Sequence, residues 1–224
     1  TVMFCDLVGS TALSARLDPE DLRTVVRAYQ QTCAEVIQRH EGYIAQYLGD
    51  GILVYFGYPV AHEDDARRAV RTGLEIITTL QKQVPSPTRG EGQGEGAAGK
   101  ERKLQVRIGI HTGLVVIGEI GASGRTEQLA LGETPNSAAR IQGLAEPNTV
   151  LVSAATQHLI DGQFECPPFG SHLLKGIDTP IAVYHVQSER QIASPLAGKI
   201  TLTPLVGREQ EVGLLVDRWE QVKE

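Results

Sequence analysis

Two aspartates, each at an end of an apolar run and close to glycine, are the residues of this chain best suited to chemistry. Asp6 follows Val2-Met3-Phe4-Cys5 and precedes Leu7-Val8-Gly9-Ser10-Thr11. Asp50 sits inside Gly49-Asp50-Gly51, with Tyr47-Leu48 before it and Ile52-Leu53-Val54 after it. If the two runs lie side by side as strands, the carboxylates converge. Hard oxygen donors brought together favour Mg²⁺, which takes few protein ligands and keeps positions open for nucleotide phosphates. The Gly9-Ser10-Thr11 turn would offer backbone N–H groups to the same phosphates. Taken singly, each aspartate also has an ordinary reading. Asp-Gly between two strands is a common hairpin turn, and an aspartate at a strand end is a common cap.

The elements that must position these residues are marked along the chain. Asp18 is an N-cap, Pro19 takes the first helical position, and Glu20 and Asp21 suit the positive helix end. Leu22, Val25, Val26, Tyr29, Cys33, Val36 and Ile37 then repeat at helical spacing up to Gly42. Strands are expected over about 43–48 and 52–57, joined through the glycine-aspartate turn. A second helix is expected from Glu63 to Leu80, with Ala66, Ala69, Val70, Gly73, Leu74 and Ile77 inward. The Gly-, Pro-, Glu- and Lys-rich stretch 84–103 has no apolar period and reads as a mobile surface loop. Two strands, 104–111 and 114–120, are expected as a hairpin turning at Thr112-Gly113, followed by a helix over 134–144 and short strands near 150–152 and 181–186. Strand, helix, strand, strand, helix, strand is the split βαβ order of an α+β, ferredoxin-like fold. That architecture hosts many functions and carries little functional weight alone.

Composition narrows the classes. The 224 residues are 41% hydrophobic and 21% charged, with a formal net charge of −6, as expected of a globular protein with one sizeable core. A phosphate-backbone binder is usually basic, so nucleic acid is not an expected partner. No apolar run reaches bilayer-spanning length, and no membrane segment or signal peptide is expected. Cys5, Cys33 and Cys166 are odd in number and lack CxxC spacing, so neither a disulfide framework nor a zinc site is expected, and a reducing cytoplasm is the simplest compartment.

Five motifs, in order, resemble the catalytic domain of class III adenylate and guanylate cyclases. They are FCDLVGST (Phe4–Thr11), YLGDGILVYFG (Tyr47–Gly57), VRIGIHTG (Val106–Gly113), TPNSAARI (Thr134–Ile141) and LLKGI (Leu173–Ile177). The resemblance covers about residues 1–187 and implies a class III cyclase type of ferredoxin-like core with additional C-terminal strands. It implies a homodimer with active sites at the interface. Asp6 and Asp50, with the Leu7 carbonyl, would hold two Mg²⁺ (or Mn²⁺) ions per site. Asn136 and Arg140 would come from the second copy of the chain, one to position the ribose and the other to stabilise charge on the α-phosphoryl group. Lys175, and with it Arg125, would contact the terminal phosphates. The reaction implied is conversion of ATP, or GTP, to the cyclic 3′,5′-nucleotide and pyrophosphate.

Base selection departs from the family pattern. Adenylate-forming members usually carry lysine where this chain has Gln46, and Asp or Thr where it has Leu129. Glutamine can donate and accept, so it suits either purine, whereas leucine does neither. The resemblance therefore implies relaxed base preference or poor affinity, with ATP favoured. Two rivals stand beside this reading: a degenerate cyclase homology domain that binds nucleotide and regulates an attached module, and a dimerisation scaffold that needs no nucleotide.

Other motifs are weaker. GEGAAGK (94–100) has Walker A glycine and lysine spacing, but Glu101 stands where Ser or Thr is needed and no strand precedes it. His62-Glu63-Asp64-Asp65 reads as acids at a helix N-terminus rather than a metal cluster, because adjacent helical residues do not share a face. His111 reads as a packed or turn histidine. After a linker over 188–203, the segment 204–224 contains LVGREQEVGLLVDRW (205–219), which resembles the opening of AAA-like or signal-transduction ATPase domains. That resemblance implies an ATPase module as a partner in a longer protein.

Overall fold

A computed structural model describes residues 1–15, 17–83, 104–120, 127–173 and 179–190, together with 213–214 and 218–219; for 119–120 and 127–131 it describes the backbone alone. In chain order the elements are β1 (Val2–Leu7), α1 (Ser10–Ser14), α2 (Pro19–Arg39), β2 (Tyr43–Leu48), β3 (Gly51–Tyr55), α3 (Asp65–Gln83), β4 (Val106–His111) and β5 (Val116–Ile120). Then follow β6 (Glu127–Leu131), α4 (Glu133–Leu144), β7 (Thr149–Ser153), α5 (Ala154–Leu159), β8 (Phe164–Glu165), β9 (Pro168–His172), β10 (Ile181–Val186) and β11 (Ser188–Glu189). The chain forms two compact units, Thr1–Arg190 and Gln191–Glu224. In the second, the described residues Gly213, Leu214, Arg218 and Trp219 are helical and exposed.

The main sheet runs β2-β3-β1-β4-β7-β10-β9. Its first four strands pair antiparallel in the order expected of a ferredoxin-like βαββαβ core. β7 joins β4 in parallel, and β10 and β9 extend the sheet at its C-terminal end.

Period-2 alternation sends side chains to two different helical layers. Met3, Cys5 and Leu7 of β1, with Val106, Ile108 and Ile110 of β4, pack beneath α2 and α3. Val2 and Phe4 face the opposite way, into a layer shared with Leu53, Tyr55 and Ala138 of α4. Asp6 continues that second face, because it is the next alternate residue of β1. The helix α2 starts as its sequence dictates: the Asp18 carboxylate accepts from the N–H groups of Glu20 at 3.0 Å and Asp21 at 2.9 Å, with Pro19 at the first helical position. Gly42, expected to end it, serves space rather than backbone freedom. Glu41 takes the left-handed conformation at φ 56°, while a Cβ on Gly42 would meet Ile37 Cγ2 at 2.8 Å and Phe56 Cζ at 2.9 Å.

The expected hairpin between the fourth and fifth strands is not formed. β4 lies between β1 and β7, so both its edges are taken. β5 instead pairs antiparallel with β6 in a separate two-stranded sheet. The Thr134 hydroxyl donates to the Leu114 carbonyl at 2.7 Å and draws the intervening strand connection toward α4. The expected loop 84–103 and the Walker-like string inside it lie outside the described residues.

α4 sits directly on β4 at Gly109. A Cβ there would lie 2.5 Å from the Ala138 carbonyl oxygen and 2.6 Å from Gln142 Cα. Both are backbone atoms, which cannot rotate aside. Gly109→Ala is expected to destabilise the first unit by about 3 kcal/mol or more, at the upper end for overpacking, read as a drop in chemical-denaturation midpoint. An unchanged midpoint would refute this close approach.

The end of the first unit is also pinned. The Gln187 N–H donates to the Glu165 carbonyl at 2.9 Å and the Arg190 N–H to the Gln163 carbonyl at 2.8 Å. Arg71 on α3 donates from Nε to both carboxylate oxygens of Glu189 at 3.0 Å. Among the described residues, no helix is long and apolar enough to cross a membrane.

Candidate functional site

Register brings the two aspartates together. β1 and β3 pair so that Asp6 lies opposite Gly51, the residue after Asp50. Asp6 Oδ1 is 3.6 Å from the point where a Gly51 side chain would begin. The turn that carries Asp50 is held by Gly49 at φ 68° and by Gln30 of α2, whose Nε2 donates to the Gly49 carbonyl at 3.0 Å. Both aspartates are half-buried. Burial pushes the Asp6 carboxyl above its ordinary range, and the neighbouring Asp50 charge pushes it further; the Leu7 backbone N–H, Arg107 and the Gln142 side chain oppose the shift. A half-buried carboxyl held against ionisation beside a second acidic side chain is a donor whose charge a divalent cation relieves.

Asp6 has a basic cross-strand neighbour on its other side. β4 places Arg107 directly opposite it, on the sheet face that Asp6 also occupies. Arg107 Nε is buried and has no hydrogen-bond partner among the described residues. Sequence reading missed this residue. The alternation of Val106, Ile108 and Ile110 marks Arg107 as belonging to the opposite face, but the β1–β4 register was needed to set it beside Asp6.

Gln46 reaches the same face through a bulge. The β2–β3 register runs Ile44↔Val54 and then Gln46↔Leu53, so Ala45 is the extra residue. Strict alternation would turn Gln46 to the α2 side. The bulge aligns it instead with Leu53, which packs toward α4. Gly9, at φ 72° and ψ 22°, begins the short α1 in the left-handed conformation that glycine tolerates, with Ser10 and Thr11 in the first turn.

Helix α4 separates its residues by face. Thr134, Ala138, Ile141 and Ala145 are buried, at intervals of four, three and four residues. Asn136 is exposed and Arg140 half-buried. At about 100° per residue, these two lie within roughly 40° of each other and on the side turned away from the sheet. One copy of the chain therefore does not bring Asn136 and Arg140 onto its own Asp6.

The remaining expected site residues are less fully placed. Leu129 lies on β6 opposite Gly118 of β5, with only its backbone described. Arg125 and Lys175 lie outside the described residues. Two side features kept their ordinary readings. His62 and Asp65, with Asp64 and Glu41, gather around the buried Arg68 guanidinium as an ion-pair network, and no metal-holding group of three or more such residues exists among the described residues. His111 Nδ1 is 2.8 Å from the Ser153 hydroxyl, and burial lowers its pKa.

Comparison with known proteins identifies the family. The family described as "Adenylate and Guanylate cyclase catalytic domain" matches residues 1–188. Adenylate cyclase 1 of Rhizobium meliloti is 31% identical over 188 residues, which are 83% of this chain and 27% of that protein. An uncharacterised protein of the same bacterium is 32% identical across 99% of this chain and 20% of its own length. The chain thus spans about a fifth to a quarter of these relatives. Among solved structures, the guanylyl cyclase Cya2 superposes with a TM-score of 0.75 at 30% identity, covering 85% of this chain and 92% of that one. The adenylyl cyclase CyaB of P. aeruginosa gives 0.73 at 26%, covering 85% and 94%. With a family match over residues 1–188, nearly all of the first unit, and the two aspartates meeting at one strand end, this chain belongs to the adenylate and guanylate cyclase catalytic domain family.

Proposed function

We propose that the chain is a class III nucleotidyl cyclase domain, active as a homodimer, that converts ATP, and also GTP, to the cyclic 3′,5′-nucleotide and pyrophosphate. The observation that carries the reading is the meeting of Asp6 and Asp50 at one strand end, with Arg107 beside them. Hard carboxylate oxygens and a strand-end carbonyl at Leu7 suit Mg²⁺ or Mn²⁺, and Asp6, Asp50 and Leu7 are the residues that would hold two such ions. Bound there, the cations would supply Lewis acidity toward the ribose 3′-hydroxyl and neutralise polyphosphate charge.

The chain's own residues then have distinct tasks. Asp6 and Asp50 would meet the polyphosphate end of the nucleotide only through the cations they hold. The left-handed Gly9 turn, with Ser10 and Thr11, offers N–H groups to phosphate oxygens. Arg107 offers its unpartnered Nε to the same charge, joined by Lys175 and Arg125. Asn136 of the partner subunit orients the ribose so that its 3′-oxygen lines up with the α-phosphorus. Arg140 of the partner subunit stabilises the charge that grows on the α-phosphoryl oxygens as the new O–P bond forms and the bond to pyrophosphate breaks. Gln46 meets the purine edge with either a donor or an acceptor, and Leu129 adds neither. Buried recognition discriminates strongly only where its hydrogen bonds are made, so base preference is modest and leans to ATP. In the parent protein the domain works from the cytoplasm and feeds an ATPase module that begins near residue 204.

A second reading is motivated by Gln46 and Leu129: a homology domain that binds nucleotide and regulates that module without turnover. One assay separates them. The purified chain, with Mg²⁺ or Mn²⁺ and ATP or GTP, is followed for cyclic product and for nucleotide binding. Cyclic product from both nucleotides, with ATP ahead by no more than about a hundredfold, is expected. Binding without product would replace the proposal by the regulatory reading, and neither, in a folded dimer, by the scaffold.

A further inference from the structure

The face of α4 that meets the sheet carries one polar side chain aimed at the candidate site. Gln142 Nε2 lies 3.5 Å from Asp6 Oδ2 as a donor. The backbone around Gln142 is seated on Gly109 of β4, where no side chain intervenes. The amide is thus delivered to Asp6 by main-chain packing. Asp6 Oδ1, the other carboxylate oxygen, is the one closest to Gly51 beside the Asp50 turn. Asp6 lies between Asp50, which repels it, and the cross-strand Arg107, which attracts it. A carboxylate drawn sideways toward a guanidinium would present its oxygens poorly to a cation near Asp50.

We infer that Gln142 is a positioning residue, whose amide holds Oδ2 of Asp6 so that Oδ1 stays turned toward the Asp50 side. The inference rests on the reading of Asp6 as a cation ligand. At 3.5 Å the hydrogen bond is long, so its role is orientation more than binding energy. Partners of ligating carboxylates commonly change metal affinity or activity by ten- to a hundredfold when removed; the long bond places Gln142 at about tenfold. The same helix then serves two centres. Gln142 acts on its own subunit's Asp6, while Asn136 and Arg140 occupy the opposite face.

The test is Gln142→Met, which keeps length and helix propensity and removes the donor. Mn²⁺ binding is measured by electron paramagnetic resonance on the full chain with a non-cyclisable ATP analogue. Expected are about tenfold weaker Mn²⁺ binding, a comparable fall in kcat, a nucleotide KM within about twofold, and an unchanged thermal midpoint without metal. Gln142→Ala, which adds no bulk, is measured in parallel, so that a poorly packed methionine does not decide the result. Unchanged Mn²⁺ affinity in a folded variant overturns the inference. Asp6→Ala is the control. If it too leaves Mn²⁺ affinity unchanged, the cation-site reading itself is wrong. If it weakens binding while both Gln142 variants do not, only the positioning role is lost.

Discussion

Asp50→Ala is expected to lower cyclic-nucleotide formation by about a thousandfold or more, with the fold intact. A cation that stabilises several kcal/mol of developing charge translates to that factor at about 1.4 kcal/mol per tenfold. Asp50 sits in a turn held by Gly49 and Gln30 rather than by its own side chain, so its removal leaves the β2–β3 connection in place. The substitution also has an opposite effect on stability. The Asp6 carboxyl is raised first by burial and then by Asp50, so the native state holds its proton more tightly than the unfolded chain does. Stability is therefore lost as pH rises from the ordinary carboxylate value through the raised one. Removing Asp50 cancels the repulsive part. Without divalent cations the variant should match the wild type near pH 3 and exceed it at pH 7, by no more than about 0.5 kcal/mol because half-exposed charges are screened. Added Mg²⁺ should raise the wild-type melting temperature and leave that of the variant nearly unmoved. Product yield within tenfold of wild type would discard the assignment of Asp50.

Mixing chains that carry Asp6→Ala with chains that carry Arg140→Ala should recover activity that neither has alone. In a two-fold dimer each centre combines one subunit's aspartates with the other's α4. A heterodimer of the two variants then holds one centre with both halves intact and one with both lost. Random pairing of equal amounts makes half the dimers mixed, each with one working centre of two, so about a quarter of wild-type activity is expected. The placement of Arg140 on the face of α4 opposite its own Asp6 motivates this result. Recovery absent in isolated heterodimers would mean that the centre is built within one chain.

What the sequence disclosed follows the range of its signals. α2 was legible because a cap, a proline and an apolar stripe all lie within a few turns. The meeting of Asp6 and Asp50 was legible because each flanks its own strand next to glycine, and β1 and β3 are neighbours in the split βαβ order. The β5–β6 pairing was not, since nothing local says that both edges of β4 are already occupied. The turn of Gln46 toward the site depended on one extra residue, Ala45, which no alternation pattern announces. Arg107 and Gln142 were missed for a related reason: each is ordinary on its own element and becomes notable only across strand register or helix packing. The short β8, β9, β11 and α5 carry too few residues for periodicity to register.

The clasp of Arg71 on Glu189, with the two backbone bonds to the 163–165 segment, has a mechanical meaning. Force arriving from downstream would enter the first unit at α3 and β8, on the side of the sheet away from α4. Tension on the chain beyond residue 190 would thus load the scaffold beneath the β-sheet before it could disturb the helix that holds Asn136, Arg140 and Gln142. The last described anchor is Arg190, so a first unit cut at 187 would sever this tether and leave the Arg71 guanidinium without the Glu189 carboxylate.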